Sequence, residues 1–324
     1  MLVHRALRVP ASVTDSNMRT PITMQDESMT PMASESFHLE QYQEYLAHAD
    51  KHVRIVETAL DWFGQILERP NVDCLRVLDA GCWPGQLTSR LIRELRHMAD
   101  KRPGRRVVVD WTCLDSSARA LALCRAACSG LHSGQTQIGF VKTALEDYLF
   151  RPRSDRGRFD VVLCSHVLYH IADWPSCING LISTLLPQGQ LWIVLASRNA
   201  EVYRLFDMVS PHVTGRPDYA VRFSEELEAV LRGCGLSFGR EYLVSRVAFD
   251  RDEVASFLSG RDVASICRTL GILWGYGEES VRTSSAVSVI QEYLRARVGS
   301  GGGQVEIGYR DAMFRVEGLD GQDF

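Results

Sequence analysis

The nine residues VLDAGCWPG, at positions 77–85, decide the fold class of this chain. An apolar segment ends in an acidic residue, a turn with two glycines follows, and an amphipathic helix begins near Gln86. Glycine lets a backbone approach a ligand closely, and the N-terminus of a helix presents free N–H groups to it. This order is typical of the carboxyl end of a parallel strand that receives a nucleoside. A dinucleotide fingerprint has glycines where Trp83 and Gln86 stand, so the pattern disfavours dinucleotide binding.

The composition narrows the class of protein. The chain has 324 residues, 45% of them hydrophobic, and a net charge of -4. That length suits one large α/β domain with additions or two small domains. The balanced charge gives no sign of a nucleic-acid partner. No apolar run approaches the ~20 residues that a membrane span needs. We therefore expect a cytoplasmic, monomeric protein that binds neither nucleic acid nor membrane.

Nine cysteines are scattered along the chain. Cys124 and Cys128 are spaced to share a helix face, but no second pair completes a zinc pattern. Reduced, buried thiols are the ordinary state of cysteine in a cytosolic protein. The spacing therefore predicts no metal site.

Strand and helix signals alternate after a helical stretch at residues 37–67. Continuous apolar segments predict five strands, at 76–80, 107–114, 138–142, 159–165 and 190–196. Periodicity predicts helices at 86–98, 117–128, 174–186 and 200–209. The segment LPQG at 186–189 is expected to stop the chain sharply before the fifth strand. Such alternation is typical of a parallel sheet covered on both faces.

The alternation weakens in the last third of the chain. The pattern there predicts a helix at 224–231, a strand at 237–249, helices at 252–270 and 285–297, and a last strand at 305–316. We divide the chain into a flexible tail, an N-terminal helical lid, a Rossmann-like core, a helical insertion that contributes to the substrate pocket, and the last strand with the C-terminus. The boundaries are 1–36, 37–70, 71–251, 252–303 and 304–324.

Asp115 ends the second predicted strand, directly before Ser116 and Ser117. In doubly wound folds an acid at this position accepts hydrogen bonds from ribose hydroxyls. An Asp-Ser pair before a helix can instead be only a helix cap. Because the strand follows the glycine turn directly, we expect the ribose role for Asp115.

The hydrophobic-Asp-x-Gly-x-x-x-Gly pattern resembles motif I of class I methyltransferases that use S-adenosylmethionine (SAM). The resemblance implies a seven-stranded Rossmann-like α/β sheet whose last hairpin is antiparallel, with SAM as cofactor. The expected cofactor-binding residues are Asp79, Gly81, Trp83, Gly85, Gln86, Asp115, Ser116, Thr143, Ala144, Leu145 and Ser165.

Two of these positions depart from the usual pattern of the family. The family commonly has an Asp and a small residue beside the adenine ring, whereas this chain has Thr143 and Ala144. Glu146 or Asp147 then either takes the polar role or faces solvent. The bulky Trp83 in a glycine-rich loop is expected to keep a negative φ. Its ring either packs on the sheet or lines the methionine end of the cofactor.

The fourth strand leads into a run of polar aromatic residues. Enzymes of this class present the methyl group where that strand ends, so Ser165, His166, Tyr169 and His170 are expected beside the reaction centre. Histidine has a pKa near 6.5 and can take up a proton near neutral pH. We therefore assign catalytic roles to His166 and Tyr169.

Residues 37–317 resemble the histamine N-methyltransferase-like branch in the order and length of their segments. In that branch a Glu, a Gln and an Asn hold the substrate, and by position they become Lys51, His166 and the pair Tyr309-Arg310 here. Two cations in place of an acid and an amide should favour an acceptor with a carboxylate or phosphate over histamine. The alternative is that Lys51 and Arg310 are solvated surface charges.

Aromatic residues of the lid and the insertion are expected to enclose the acceptor and exclude water. The predicted substrate-binding residues are Phe37, Tyr42, Tyr45, Lys51, His166, Tyr169, His170, Trp274, Tyr309 and Arg310.

The predicted function is methyl transfer to a small molecule, with a nitrogen of a carboxylate-bearing, amino-acid-like metabolite as the first choice. O-methylation of a carboxylate or hydroxyl is an alternative. A non-catalytic SAM-binding regulatory module is a second alternative, because Trp83 and the missing third-strand Asp are unusual.

Overall fold

The computed structural model describes residues 31–102, 106–152, 156–213, 217, 221–298 and 303–318. Most of the predicted N-terminal tail and the last six residues of the chain lie outside this range. The described residues form one sheet of seven strands, and they are β1 Cys74–Ala80, β2 Val108–Asp115, β3 Thr136–Lys142, β4 Phe159–Ser165, β5 Leu185–Ala196, β6 Phe238–Asp250 and β7 Gln304–Glu317.

The described helices surround this sheet. In chain order they are α1 Pro31–His48, α2 Lys51–Leu67, α3 Gln86–Asp100, α4 Ala118–Ala127, α5 Leu145–Phe150, α6 Trp174–Ile182, α7 Glu201–Val209, α8 Ser224–Gly233, α9 Arg251–Leu258, α10 Ala264–Trp274, α11 Glu278–Arg282 and α12 Ala286–Val298.

The strand order is β3-β2-β1-β4-β5-β7-β6. Strands β1 to β5 are mutually parallel, and β7 runs antiparallel to both β5 and β6. The order reverses between β1 and β4, and such a switch point is where ligands bind in open α/β sheets. The predicted seven-stranded Rossmann-like methyltransferase sheet, with an antiparallel final hairpin, is confirmed.

Helices cover both faces of the sheet, which explains the continuous apolar strands. On one face α2, α3 and α4 pack against the central strands, and on the other face α6 and α8 do so. The ring of Phe63 in α2 lies 4.6 Å from that of Trp192 in β5 and 6.3 Å from that of Trp111 in β2. Helix α2 is therefore a layer of the core, so we now limit the proposed lid to α1 and the residues that join it to α2.

The helix predicted at 37–67 is in fact two helices. The chain leaves the helical path at Ala49, which forms an isolated bridge with Val247 of β6. Beside it the amide of Asp50 donates to the carbonyl of Arg246, and the amide of Arg246 donates to the Asp50 carboxylate. The helical periodicity of the sequence continues through this break. The sequence did not predict the break, because pairing with the distant strand β6 causes it.

The predicted boundary before the fifth strand was also wrong. Strand β5 begins at Leu185, ahead of the LPQG segment. Phe159 of β4 pairs with Leu185, whereas Val161 pairs with Gln190, so residues 186–189 bulge out of the ladder. Gln188 lies in the left-handed region, with φ of 64°. A bulge accommodates a Pro-Gly signal without ending a strand.

The described residues of the predicted insertion form four helices, α9 to α12. They share an apolar core with α1, α7 and one end of β6 and β7. The helix predicted at 252–270 ends at Leu258, after which Gly260 adopts a φ of 72°, and the chain resumes a helix at Ala264. Across the described part of the chain, no helix combines the length and apolar character that a bilayer crossing requires.

Candidate active site

A cavity of about 520 Å³ opens at the carboxyl ends of β1, β2 and β4. The switch point forms its floor, and α1 and α10 close it from the other side. Its wall residues are Tyr42, Tyr45, Lys51, Gly81, Trp83, Leu114, Asp115, Ser116, Ala144, Leu145, Glu146, Ser165, His166, Val167, Tyr169, His170, Ile171, Tyr203, Val221, Ile272, Leu273 and Tyr309.

Gly81 begins the loop after β1 and has no room for a side chain. Its φ is 89°, and a Cβ there would lie 2.2 Å from Cγ2 of Val167. The amides of Gly81 and Cys82 both donate to the carbonyl of Leu114, at 2.8 and 3.1 Å. These bonds tie the loop to β2, so a bulkier residue at position 81 must displace the cavity wall.

Gly85, another predicted cofactor residue, packs against α4. It is absent from the cavity wall, its φ is 84°, and a Cβ would lie 2.6 Å from Cα of Cys124 in α4. This glycine allows the start of α3 to pack closely on α4. Gln86, the first residue of α3, is likewise absent from the wall.

Trp83 contradicts the expectation of a negative φ. Its φ is 48°, in the left-handed region that bulky residues seldom adopt. Its amide donates to Oδ2 of Asp115 at 3.0 Å, and its ring stands edge-on to that of Tyr42 with centroids 6.1 Å apart. The indole lines the cavity instead of packing only on the sheet. A strained conformation held by surrounding contacts is a frequent property of ligand sites.

Asp79 lies beneath the loop and not on the cavity wall. It is 3% exposed, and the hydroxyl of Thr88 donates to its Oδ2 at 2.6 Å. Burial raises the pKa of this carboxyl to about 7. Asp79 thus holds the start of α3 against the end of β1, and it supports the cofactor loop from below.

Asp115 stands at the rim of the cavity with both carboxylate oxygens directed at the loops. Oδ2 accepts from the amide of Trp83, and Oδ1 accepts from the amide of Ser117 at 2.9 Å. The cap of α4 is made by Ser117, whose hydroxyl accepts from the amide of Ala120 at 2.9 Å. Because another residue caps the helix, the carboxylate of Asp115 remains at the cavity wall as a ribose ligand requires.

Replacing Asp115 with alanine is expected to weaken SAM binding by about 1–3 kcal/mol, the cost of a lost charge-assisted hydrogen bond. Calorimetric titration with SAM measures this change. Asp147→Ala removes an exposed carboxylate of α5 outside the cavity wall and is the matched control. Equal SAM affinity in the two variants would exclude the ribose assignment.

Two of the three predicted residues at the third strand lie where they were expected. Ala144 and Leu145 line the cavity, and Thr143 does not. Between the two acids that were candidates for the polar role, Glu146 lies on the cavity wall and Asp147 is exposed to solvent.

A chain of three polar side chains crosses the acceptor side of the cavity. Nδ1 of His166 lies 3.1 Å from the hydroxyl of Tyr169, and Nε2 of His166 lies 3.4 Å from Oδ2 of Asp311. The amide of Ala196 donates to the Tyr169 oxygen at 3.0 Å. In the tautomer that carries the imidazole proton on Nε2, Tyr169 donates its own proton to Nδ1.

The surroundings of His166 keep it a neutral base. Burial and the neighbouring Lys51 lower its pKa, and Asp311 opposes this. Asp311 is 1% exposed, and its oxygens make no hydrogen bond with the described residues. A buried carboxylate in that state stabilises a proton that arrives on the adjacent imidazole. His166 has φ of 58°, a second strained residue at this cavity.

Lys51, the first residue of α2, points into the same cavity. It is 4% exposed, and its Nζ lies 4.8 Å from the ring centre of Tyr45, 5.6 Å from that of Tyr42 and 5.8 Å from that of Tyr309. Burial lowers its pKa to about 8, while Asp311 acts in the opposite direction. Lys51 is thus no solvated surface charge.

Two predicted substrate residues, Arg310 and Trp274, are not brought to the cavity. Arg310 follows Tyr309 in β7, faces the other side of the sheet, and lies 4.5 Å from the ring centre of Tyr242. Trp274 is fully buried, and its indole N–H donates to the carbonyl of Val202. The side chain of Phe37 lies outside the described residues.

The sequence interpretation missed Asp311, although a signal was present. Side chains alternate between the two faces of a strand, so residues 309 and 311 share a face that residue 310 cannot reach. For β7 this rule predicts that Asp311, and not Arg310, shares a face with Tyr309. Tyr203 of α7 and Leu273 of α10 also line the cavity, and no local pattern marks them.

The cavity fits SAM by the chemistry of its walls. Asp115 offers a carboxylate at the rim, Gly81 leaves clearance that a Cβ would remove, and Ala144 with Leu145 gives an apolar surface for a flat ring. The remaining volume adjoins His166 and Tyr169, so donor and acceptor can meet inside one enclosure.

The sequence of the chain is similar to those of known methyltransferases. Residues 40–271 match the model of the methyltransferase domain family. The ubiquinone biosynthesis O-methyltransferase of Marinobacter nauticus is 29% identical over 142 residues, which are 44% of this chain and 52% of that protein. The protein of the same name from Ralstonia nicotianae is 28% identical over 198 residues, 56% of this chain and 74% of that protein. The chain spans about half the length of the Marinobacter protein and of several other curated relatives it matches.

Solved structures resemble the chain in fold. The magnesium protoporphyrin IX methyltransferase of Synechocystis, solved with S-adenosylhomocysteine bound, is 16% identical with a TM-score of 0.43, over 68% of this chain and 84% of that one.

The fold and the family match define a class I SAM-dependent methyltransferase. The chain belongs to the methyltransferase domain family, whose model covers most of its length. The lining of the cavity agrees with that family and with S-adenosylmethionine as the cofactor.

Proposed function

We propose that this enzyme methylates a hydroxyl oxygen of a small molecule that also carries an anionic group. The observation that supports the oxygen acceptor is the buried Tyr169–His166–Asp311 chain, which gives a hydroxyl proton a path away from the reaction centre. Curated relatives are named O-methyltransferases, which agrees with this choice. The nitrogen acceptor preferred from the sequence becomes the second candidate, because an amine that is already neutral needs no such chain before it attacks.

The proposed reaction is an in-line displacement at the methyl carbon. SAM supplies a methyl group on a positively charged sulfur, and the acceptor oxygen forms the new O–C bond as the S–C bond breaks. The acceptor hydroxyl donates to the oxygen of Tyr169, Tyr169 passes its own proton to Nδ1 of His166, and the imidazolium is stabilised by Asp311. The proton is thereby held within the enzyme until product leaves.

Lys51 supports the anionic part of the proposal. Its ammonium group is buried among three tyrosine rings next to the catalytic chain, so an anionic group of the acceptor would meet a desolvated charge. Ion pairs of this kind discriminate between acceptors when one partner is removed. Arg310 has no part in this proposal, because it lies on the other side of the sheet.

The two titrating groups predict a bell-shaped dependence of kcat/KM on pH. Activity rises as His166 loses its proton, and its lowered pKa places that limb below pH 6.5. Activity falls as Lys51 loses its proton near pH 8. Lys51→Met should remove the alkaline limb and raise KM roughly thirtyfold, about 2 kcal/mol. Lys51→Glu should be more damaging, since it adds a like charge near Asp311.

Steady-state measurements of kcat/KM against pH for the wild type, Lys51→Met and Lys51→Glu test this dependence. Lys101→Met neutralises an exposed lysine at the end of α3 and should leave the profile unchanged. An alkaline limb that persists in Lys51→Met would show that another group titrates there.

The finer resemblance, to the histamine N-methyltransferase-like branch, stays a proposal. It is supported by Lys51, His166 and Tyr309, the positions that correspond to that branch's substrate ligands, since all three face one cavity. Cytoplasmic location and a monomeric state stay predictions. We also propose that α1 acts as a lid, because Tyr42 and Tyr45 are its contribution to the cavity wall.

Product analysis decides between oxygen and nitrogen. A metabolite panel of phenols, hydroxy acids, carboxylic acids and amino acids is incubated with isotope-labelled SAM, and the labelled products are identified by mass spectrometry. We expect methyl ethers, which resist mild alkali that hydrolyses methyl esters. An N-methyl product with no O-methyl product would overturn the oxygen proposal.

A further inference from the structure

Three buried cysteines meet behind the cofactor loop. Cys82 lies in that loop, Cys113 in β2 and Cys124 in α4, and their Sγ atoms all lie within 4.8 Å of one another. They are 6%, 0% and 0% exposed, and all three are free thiols. The chain separates Cys82 from Cys113 by a whole helix, so only the fold brings them together.

A fourth thiol adjoins the cluster. Cys128 lies one turn beyond Cys124, is 3% exposed, and shares a thiol–thiol contact with it. The sequence showed that Cys124 and Cys128 share a helix face, but it showed no second pair of cysteines for a metal site. In the fold, Cys82 and Cys113 form that second pair. The set therefore comprises two pairs that contact each other, on three different elements of the fold.

The geometry suits a small thiophilic cation. A Zn–S bond is about 2.3 Å long, so two sulfurs on one tetrahedral ion lie about 3.8 Å apart. Among Cys82, Cys113 and Cys124 the Sγ separations need to shorten by only about an ångström or less to reach that value, and the side chain of Cys128 must turn to join them. A donor set made only of thiolates selects soft ions such as Zn²⁺ or Cu⁺ over Mg²⁺ or Ca²⁺.

We propose that Cys82, Cys113 and Cys124, with Cys128 as the fourth ligand, bind a thiophilic cation, and Zn²⁺ in the first instance. Each thiol that becomes a ligand releases its proton, and affinity therefore increases with pH.

The position of the site couples it to the cofactor loop. Cys82 lies between Gly81 and Trp83, and Cys113 precedes Asp115 by two residues in β2. An ion that joins them links the loop to β2 and α4. It is expected to stabilise the folded enzyme and to restrict the loop that receives SAM, independently of which acceptor is methylated.

The test uses the full chain, reduced with a phosphine and freed of metal by a chelator. Titration with Co²⁺ is followed by the thiolate-to-cobalt charge-transfer absorption, and Zn²⁺ is then added in competition. We expect one equivalent of Co²⁺, a tetrahedral spectrum, displacement by Zn²⁺, and proton release into a weakly buffered solution. Absence of the thiolate band in the wild type would overturn the proposal even if no variant could be purified.

Variants locate the site. Cys113→Ser and Cys124→Ser should each weaken Zn²⁺ binding by at least about tenfold, since even a lost outer-sphere partner has that effect. Cys177→Ser is the matched control, because Cys177 is equally a buried free thiol but packs in the core on the other face of the sheet. Unchanged binding in both cluster variants would assign the metal to other cysteines and overturn the proposal.

Discussion

Replacing His166 with asparagine is expected to lower kcat by about 10²–10⁴-fold, the usual contribution of a positioned base. Asparagine tolerates the left-handed φ of 58° better than most residues, so the backbone should keep its path. The variant retains a polar side chain but has no group that takes the proton from Tyr169. Burst and steady-state kinetics with SAM in excess measure the loss.

Binding of SAM should survive this substitution, with a Kd close to that of the wild type, because His166 belongs to the acceptor side of the cavity. His97→Asn changes an exposed histidine of α3 and should leave kcat unaltered. A kcat for His166→Asn within a few-fold of the wild type would remove the base role and the relay with it.

Gly81→Val is expected to abolish SAM binding in calorimetry while circular dichroism still reports an α/β protein. A β-branched residue is strained at φ of 89°, at a cost of about 1–3 kcal/mol. Its Cβ would also lie 2.2 Å from Cγ2 of Val167, so the loop or the wall of the cavity must move. Both effects act on the segment that approaches the cofactor.

A second glycine separates backbone strain from loss of the site. Gly130 has φ of 101°, and a Cβ there would meet no atom within 4 Å. Gly130→Val should therefore lower the melting temperature through strain and leave SAM affinity unchanged. If Gly81→Val binds SAM as tightly as Gly130→Val does, the loop after β1 does not approach the cofactor closely.

Local patterns indicated which residues meet at the carboxyl ends of β1 and β2. Gly81, Trp83 and Asp115 line one cavity, because each follows directly from the end of a parallel strand or closes it. The local pattern did not indicate the contacts of every residue in the loop. Gly85 packs against α4, and Trp83 adopts a positive φ that its residue type disfavours.

The acceptor half depended on distant parts of the chain. Lys51 begins α2, His166 follows β4 and Asp311 lies in β7, and no spacing in the sequence relates the three. The alternation of side chains in β7 explains why Asp311 and not Arg310 lies beside His166. The break between α1 and α2, which places Lys51 at a helix start, arises from pairing with β6.

The sequence by itself determined the class of fold and indicated the methyl donor and the loop after β1, since hydrophobic periodicity and glycine turns act over a few neighbouring residues. Only the tertiary structure decided which charges lie at the cavity and which thiols meet behind the loop. Cys82 and Cys124 are separated by a helix and a strand, and they become neighbours only when β1, β2 and α4 pack together. Contacts of that kind depend on the register of strands and the burial of whole faces, which a local pattern does not encode.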